Sequence, residues 1–123
     1  MPHTHERLIA IVGPTASGKS DLAIALARKY DGEIISADSR QVYRGMDIGT
    51  GKVPRDPLPA NFFYSEGIRH HLIDIADPDK EYNISHFLRD ARASIDDIRS
   101  RGKLPIICGG THFWIQALLE DTE

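Results

Sequence analysis

The fold is decided by the stretch Leu8-Ile9-Ala10-Ile11-Val12-Gly13-Pro14-Thr15-Ala16-Ser17-Gly18-Lys19-Ser20. Its first five residues form a short apolar run, which is typical of a strand buried on both faces of a sheet. The next eight match the pattern G-x-x-x-x-G-K-[ST], and a helical pattern of apolar residues follows as far as Tyr30. A strand, this loop and a helix in that order predict a phosphate-binding loop.

Each fixed position of the loop has a physical task. Gly13 and Gly18 allow backbone conformations in which successive N–H groups point into one cavity, and the start of the next helix adds partial positive charge. Lys19 brings a full positive charge to the terminal phosphates, and Ser20 offers a hydroxyl to Mg²⁺. We therefore predict that two linked phosphates are bound by the eight loop residues Gly13, Pro14, Thr15, Ala16, Ser17, Gly18, Lys19 and Ser20.

Outward from the loop, short apolar runs alternate with helical patterns. We expect further strands over 33–36, 71–75 and 104–108, and a helix that begins after Asn83 as its N-cap. The segment 44–67 is rich in glycine and proline and is expected to be mostly irregular, with a role that the sequence leaves open. This alternation predicts an α/β fold, a P-loop NTPase-like parallel sheet flanked by helices.

Composition excludes several classes of protein. The 123 residues include 15 basic and 18 acidic side chains, a net charge of −3, which argues against a self-sufficient nucleic-acid binder unless the chain is part of a longer one. No apolar run approaches the roughly 18 residues that span a bilayer, and the start lacks a signal core, so no membrane partner is expected. With Cys108 as the single cysteine, we expect a cytoplasmic protein without disulfides.

Two carboxylates, Asp38 and Asp74, lie at the ends of predicted strands and are candidate catalytic or metal-binding residues. Asp38 and Thr111 both come after apolar strands, at the sheet edge that also holds the phosphate loop, where ligands of open α/β sheets bind. Asp38 could accept a proton from a nucleophile or hold magnesium, as a kinase would require. For Asp74, a structural carboxylate at a strand end is preferred to a metal ligand.

A longer series of motifs resembles one enzyme family. After the phosphate loop come Ile35-Ser36-Ala37-Asp38-Ser39-Arg40-Gln41-Val42-Tyr43, Gly45-Met46-Asp47-Ile48-Gly49-Thr50-Gly51-Lys52, His70-His71-Leu72-Ile73-Asp74 and Gly109-Gly110-Thr111. In this order they resemble the tRNA dimethylallyltransferases, also called tRNA isopentenyltransferases, over nearly the whole chain.

The resemblance implies an activity and a set of roles. The family transfers a dimethylallyl group from dimethylallyl diphosphate to N6 of an adenosine next to the tRNA anticodon, with Mg²⁺ as cofactor. By motif, the range Thr15–Ser20 would grip the diphosphate, with Lys19 offsetting its charge during the reaction. Asp38 would be the general base, and Thr111 would help to place the nucleophile or the diphosphate. The tRNA-contacting residues would be Asp38, Ser39, Arg40, Gln41 and Thr111.

Family members are longer, so we expect residues 1–123 to be the N-terminal part of a P-loop-containing prenyltransferase domain. The sheet would then be incomplete, and the chain would self-associate through an exposed apolar edge. We also expect it to keep some donor affinity and to lack full activity. Three alternatives stay open: a small-molecule or nucleotide kinase, an adenylate prenyltransferase, and a P-loop module without catalysis.

Overall fold

The computed structural model describes residues 7–13, 18–45 and 52–121. Within these ranges, eight elements follow one another. They are β1 (Ile9–Val12), α1 (Lys19–Tyr30), β2 (Gly32–Ser36), β3 (Phe63–Ser65), β4 (Ile68–His71), α2 (Ile84–Ser100), β5 (Leu104–Gly109) and α3 (His112–Asp121). No helix in these ranges is both long and apolar enough to cross a membrane.

The strands form one five-stranded sheet in the order β1-β5-β2-β4-β3. All neighbouring pairs are parallel except β3 and β4, which form an antiparallel hairpin. β5 lies between β1 and β2, with Ile106 beside both Ile9 and Ile34. The carboxyl ends of β1, β2 and β5 therefore meet at one edge, which confirms the predicted α/β fold.

Two details of the sequence-based prediction are wrong. β1 is not buried on both faces: Ile9 and Ile11 pack against the α1 side, but Ala10 and Val12 on the other face are exposed, Val12 by 43%. The strand predicted over 71–75 is instead Ile68–His71, because Leu72 (φ 69°) and Asp74 (φ 58°) adopt left-handed backbone conformations that end it. The segment 44–67, predicted to be mostly irregular, contains the three-residue strand β3, and its other described residues belong to no helix or strand.

Helices cover both faces of the sheet because adjacent strand residues point to opposite sides. On one face, Ile34 and Ile106 pack with the small residues Ala23 and Ala27 of α1. On the other, Ile35 and Ile107 pack with α2 and α3, whose buried residues are Phe87, Ala91, Ile95, Ile98, Trp114, Ile115 and Leu118. α1 lies directly behind the carboxyl edge and so presents its first turn to it.

The start of α2 confirms the predicted N-cap. The side chain of Asn83 accepts hydrogen bonds from the backbone N–H groups of Ser85 (3.0 Å) and His86 (3.2 Å). His86 completes a capping box, because its Nδ1 accepts from the Asn83 N–H at 3.0 Å. This satisfies backbone donors that would otherwise lack partners at the start of the helix.

A buried ion-pair network joins β2, β4 and the end of α2. Glu33 is 6% exposed, and its Oε1 lies 2.8 Å from His71 Nε2. Arg101 donates to both carboxylate oxygens, at 2.6 and 2.8 Å. Burial alone raises the pKa of Glu33, but hydrogen bonds from Arg101 and His71 outweigh burial and lower that pKa to about 2.

We expect Glu33→Gln to lower the free energy of unfolding by about 3 kcal/mol at pH 7, since each pKa unit corresponds to ~1.4 kcal/mol. The depressed pKa gives stability that is fully present above pH 4.5 and is lost as the pH falls through about 2. The wild type and the variant should therefore converge below pH 2 in urea unfolding measured at several pH values.

Asp97→Asn is the matched control for Glu33→Gln. It removes another carboxylate partner of Arg101 at 2.8 Å, but Asp97 is 48% exposed, so water replaces the lost contact. We expect a loss below about 1 kcal/mol. If Glu33→Gln lowers the free energy of unfolding by the same amount at every pH from 7 to 2, the carboxylate charge does not stabilise the fold.

Candidate functional site

The candidate site lies where β1, β2 and β5 end. Gly13 follows β1, Asp38 follows β2 by one residue, and Gly110 follows β5. A Cβ atom placed on Gly110 would lie 3.4 Å from the Gly13 carbonyl oxygen and 3.9 Å from Asp38 Oδ2. The three strand ends, distant in sequence, therefore meet around one small space, as the sequence predicted for Asp38 and the phosphate loop.

The phosphate loop is described at both of its ends. Gly18 has φ 83°, a left-handed conformation that favours glycine, and α1 begins at the next residue. The N–H groups of Lys19 and Ser20 belong to the first turn of α1, where a helix leaves its donors available to an anion. The other predicted loop residues, Pro14, Thr15, Ala16 and Ser17, lie outside the described residues.

Asp38 is buried, and hydrogen bonds fix one of its two carboxylate oxygens. It is 5% exposed, and its Oδ1 accepts hydrogen bonds from the backbone N–H groups of Arg40 (2.9 Å) and Gln41 (3.4 Å). Its Oδ2 has no hydrogen-bond partner among the described residues and lies toward Gly110. One carboxylate oxygen thus fixes the orientation while the other faces the space between the strand ends.

Thr111, which follows β5, forms hydrogen bonds with the residues on both sides of Asp38. Its Oγ1 accepts from the Ser39 N–H at 3.0 Å, and its own N–H donates to the Ala37 carbonyl at 3.1 Å. Ala37 in turn donates its N–H to the Cys108 carbonyl at 3.0 Å. In this structure Thr111 therefore positions the residues on either side of Asp38; the predicted contact of Thr111 with substrate stays a prediction.

A pocket connects this edge with the α1 face of the sheet. Its polar lining includes Lys19, Ser20, Ser36 and Gln41, and its apolar lining includes Ala23, Ile34, Val53 and Ile73. Ser36 donates its hydroxyl to Gln41 Oε1 at 3.0 Å, which places the Gln41 side chain beside the loop. The pocket lining therefore combines a lysine at one end with an apolar wall.

Two other residues predicted to contact tRNA, Ser39 and Arg40, lie outside this pocket lining and are exposed.

Sequence reasoning missed several residues of this pocket. Val53, His70 and Ile73 line it, although they come from segments far along the chain from the phosphate loop. Cys108 also lines it, and its Sγ lies 3.8 Å from the Lys19 carbonyl oxygen. Burial raises the pKa of the Cys108 thiol, so this thiol is uncharged at pH 7 where it lines the pocket.

Asp74, the other candidate carboxylate, has a partner in the protein. Its Oδ1 lies 2.5 Å from Lys52 Nζ. No group of three or more His, Cys, Asp or Glu side chains in the described ranges is arranged to hold a metal ion. The ion pair gives Asp74 a structural partner, but its predicted place at the end of a strand is wrong, because the residue lies in the loop after β4.

Comparisons with known proteins agree on one family. The family described as IPP transferase matches residues 41–123, and that described as isopentenyl transferase matches residues 6–62. A tRNA dimethylallyltransferase of Exiguobacterium sp. is 54% identical over 116 residues, which are 94% of this chain and 35% of that protein. The chain thus spans about a third of that relative's length.

Solved structures share the fold. The full-length tRNA isopentenylpyrophosphate transferase of Bacillus halodurans superimposes with a TM-score of 0.84 at 44% identity, covering 94% of this chain and 36% of that one. A eukaryotic dimethylallyltransferase acting on tRNA gives a TM-score of 0.76 at 40% identity, covering 89% and 26%. With the phosphate loop and Asp38 at one edge of such a sheet, the chain belongs to the IPP transferase family.

Proposed function

We propose that this chain supplies the donor site and the general base of a transferase that moves a dimethylallyl group from dimethylallyl diphosphate to N6 of an adenosine next to the tRNA anticodon. One observation carries the proposal: Asp38 is buried at the sheet edge where the phosphate loop starts, and its Oδ2, which has no hydrogen-bond partner among the described residues, lies toward Gly110. Relatives named tRNA dimethylallyltransferase support the choice of acceptor.

The donor's diphosphate would be bound by the loop that starts at Gly13 and ends at Ser20. Lys19 and Ser20, which carry an ammonium group and a hydroxyl, line the pocket. The residues fit Mg²⁺, which accepts a hydroxyl ligand and takes its other ligands from phosphate oxygens and water. When bound, magnesium would neutralise charge on the departing diphosphate. The apolar wall beside Lys19 would accept the prenyl tail.

The transfer breaks the bond between the allylic carbon and the diphosphate oxygen, and the electron pair leaves with the diphosphate. Lys19 and the loop N–H groups offset the negative charge that grows there. The adenine amine attacks the carbon, and its proton passes to Asp38 Oδ2. A base in an anticodon loop must leave its stack to reach such a site, and Ser39 and Arg40 are exposed where it would approach.

The proposal is tested by offering labelled dimethylallyl diphosphate to the full-length protein with either tRNA or adenosine nucleotides. We expect label in tRNA and none in a tRNA whose target adenosine is replaced by guanosine. Label only in free nucleotides would favour an adenylate prenyltransferase. Phosphoryl transfer from labelled ATP to a small molecule would favour a kinase.

Lys19→Met should lower transfer to tRNA about 100-fold, because one fixed charge on the leaving group is lost. Lys29→Met is the matched control, since Lys29 is an exposed lysine at the opposite end of α1. The control should keep wild-type transfer within twofold. Equal losses in the two variants would mean that the position of Lys19 in the loop is unimportant.

A further inference from the structure

An ion pair between a buried lysine, Lys52, and a partly buried aspartate, Asp74, lies next to the segment that follows Asp38. The Lys52 side chain is 6% exposed, and its Nζ lies 2.5 Å from Asp74 Oδ1. The same ammonium group donates to the Tyr43 carbonyl oxygen at 2.7 Å. Lys52 therefore joins two segments, the one that follows Asp38 and the one that follows β4.

Backbone hydrogen bonds run between the same two segments. The Asp74 N–H donates to the Gln41 carbonyl at 3.1 Å, and the Arg44 N–H donates to the Ala76 carbonyl at 2.9 Å. Between these, the Val42 carbonyl accepts from two further N–H groups of the second segment, at 2.8 and 3.0 Å. Residues 41–44 thus lie along residues 74–76, and the Lys52–Asp74 pair closes this arrangement from the side.

The arrangement is costly. A lysine ammonium group loses most of its hydration when it is buried, and here the groups that replace this hydration include the Asp74 carboxylate and the Tyr43 carbonyl. Asp74 has φ 58° and Leu72 has φ 69°, left-handed conformations that cost non-glycine residues about 1–2 kcal/mol each. Features of this kind persist where the surrounding structure fixes them, and they cluster at functional sites.

The Lys52–Asp74 pair is connected to the candidate base by one short path. Gln41, whose carbonyl accepts from Asp74, also donates its own N–H to Asp38 Oδ1. The Gln41 side chain is held by Ser36 at the end of β2. A displacement of Gln41 would therefore weaken one of the two backbone hydrogen bonds that orient the Asp38 carboxylate.

We propose that Lys52 and Asp74 are positioning residues for Asp38, which hold the segment 41–44 so that Asp38 Oδ2 faces the incoming amine. This inference rests on the proposed function. It assigns Asp74 a role in catalysis that requires no metal ligation, and it gives the long segment between β2 and β3 a task.

The test uses the full-length protein with dimethylallyl diphosphate and tRNA. Lys52→Met and Asp74→Asn should each lower kcat by 10- to 100-fold, because small misplacements of a reacting group have effects of this size. Donor Kd, measured by equilibrium dialysis with labelled dimethylallyl diphosphate, should stay within about threefold. The kcat of the double variant should be at most about threefold below that of the slower single variant, because the two residues act as one unit.

Asp77→Asn is the matched control for Asp74→Asn. Asp77 Oδ1 lies 2.7 Å from a guanidinium nitrogen of Arg44, so it also joins the two segments, but its side chain is 58% exposed. We expect kcat to stay within twofold of wild type, since exposed ion pairs contribute little.

Three results would overturn the inference. If the wild type is active and kcat is unchanged in Lys52→Met or Asp74→Asn, this inference fails and the proposed function stands. A parallel loss of donor affinity and kcat would mean that the pair supports the fold and not the base. A wild type that prenylates no tRNA would overturn the proposed function and this inference with it. If Lys52→Met does not fold, Asp74→Asn, which keeps the shape of the side chain, decides the question at a temperature below its melting point.

Discussion

Asp38→Asn will reduce kcat for prenyl transfer to tRNA about 1,000-fold while donor Kd stays within about threefold, because removal of a general base costs 10²- to 10⁴-fold. The exocyclic amine of adenine is a poor nucleophile, so its proton has to leave as the new bond forms. An amide in place of the carboxylate cannot take that proton.

The substitution should leave the local structure intact. The amide oxygen of Asn can accept the hydrogen bonds from Arg40 and Gln41 that Asp38 Oδ1 now accepts. Its amide nitrogen would then face Gly110, where Asp38 Oδ2 now lies. We therefore expect a melting temperature close to that of wild type, and the loss of kcat reports on chemistry.

Asp77→Asn again serves as the control, with the same side-chain change at an exposed position in the loop after β4. Asp38→Asn variants that retain more than a tenth of wild-type kcat would remove Asp38 from the role of base. A fall in donor affinity as large as the fall in kcat would make Asp38 a structural residue.

The parts of the site that sequence reasoning predicted have local signals. The phosphate loop is recognisable because eight consecutive residues carry its chemistry between a strand and a helix. The N-cap at Asn83 depends on its own side chain and the next three residues. Asp38 has a weaker signal, a carboxylate directly after a short apolar strand, but in an α/β sheet such a residue lies at the ligand-binding edge.

The parts that sequence reasoning missed depend on pairs far apart in the chain. Lys52 and Asp74 are separated by 22 positions, and Ser39 and Thr111 by 72. Leu72 and Ile73 form an apolar pair that predicts a strand, yet both are buried in a loop, because Leu72 reaches the core with a left-handed backbone. Burial of an apolar residue does not by itself require strand pairing, and only the packed chain distinguishes the two.

Among the described glycines, Gly109 is the one whose replacement by alanine creates the most severe overlap. A Cβ atom at this position would lie 2.1 Å from the Ala37 carbonyl oxygen and 2.4 Å from its carbonyl carbon. These are backbone atoms at the crossing from β2 to Asp38, so no side-chain rotation can relieve the overlap. The chains of β2 and β5 would have to separate at the end where they support the site.

We expect Gly109→Ala to destabilise the protein by at least about 3 kcal/mol, the upper end of the usual range for overpacking. In thermal denaturation followed by circular dichroism, this corresponds to a melting temperature lower by roughly 10 °C or more. The separation would also stretch the hydrogen bond from the Thr111 N–H to the Ala37 carbonyl, now 3.1 Å, which fixes the backbone beside Asp38. Activity should therefore fall even at temperatures where the variant stays folded.

Gly110→Ala is the matched control, one residue along the same chain. Among the described residues beyond its chain neighbours, its added Cβ would approach no atom closer than the Gly13 carbonyl oxygen at 3.4 Å, an ordinary van der Waals contact. We expect its melting temperature to stay within about 3 °C of wild type, since it creates no overlap. Equal melting temperatures for the two variants would mean that the ends of β2 and β5 can move apart freely. In that case Asp38 would not be held at a fixed distance from the phosphate loop, and the geometric case for its role as base would fail with the close contact.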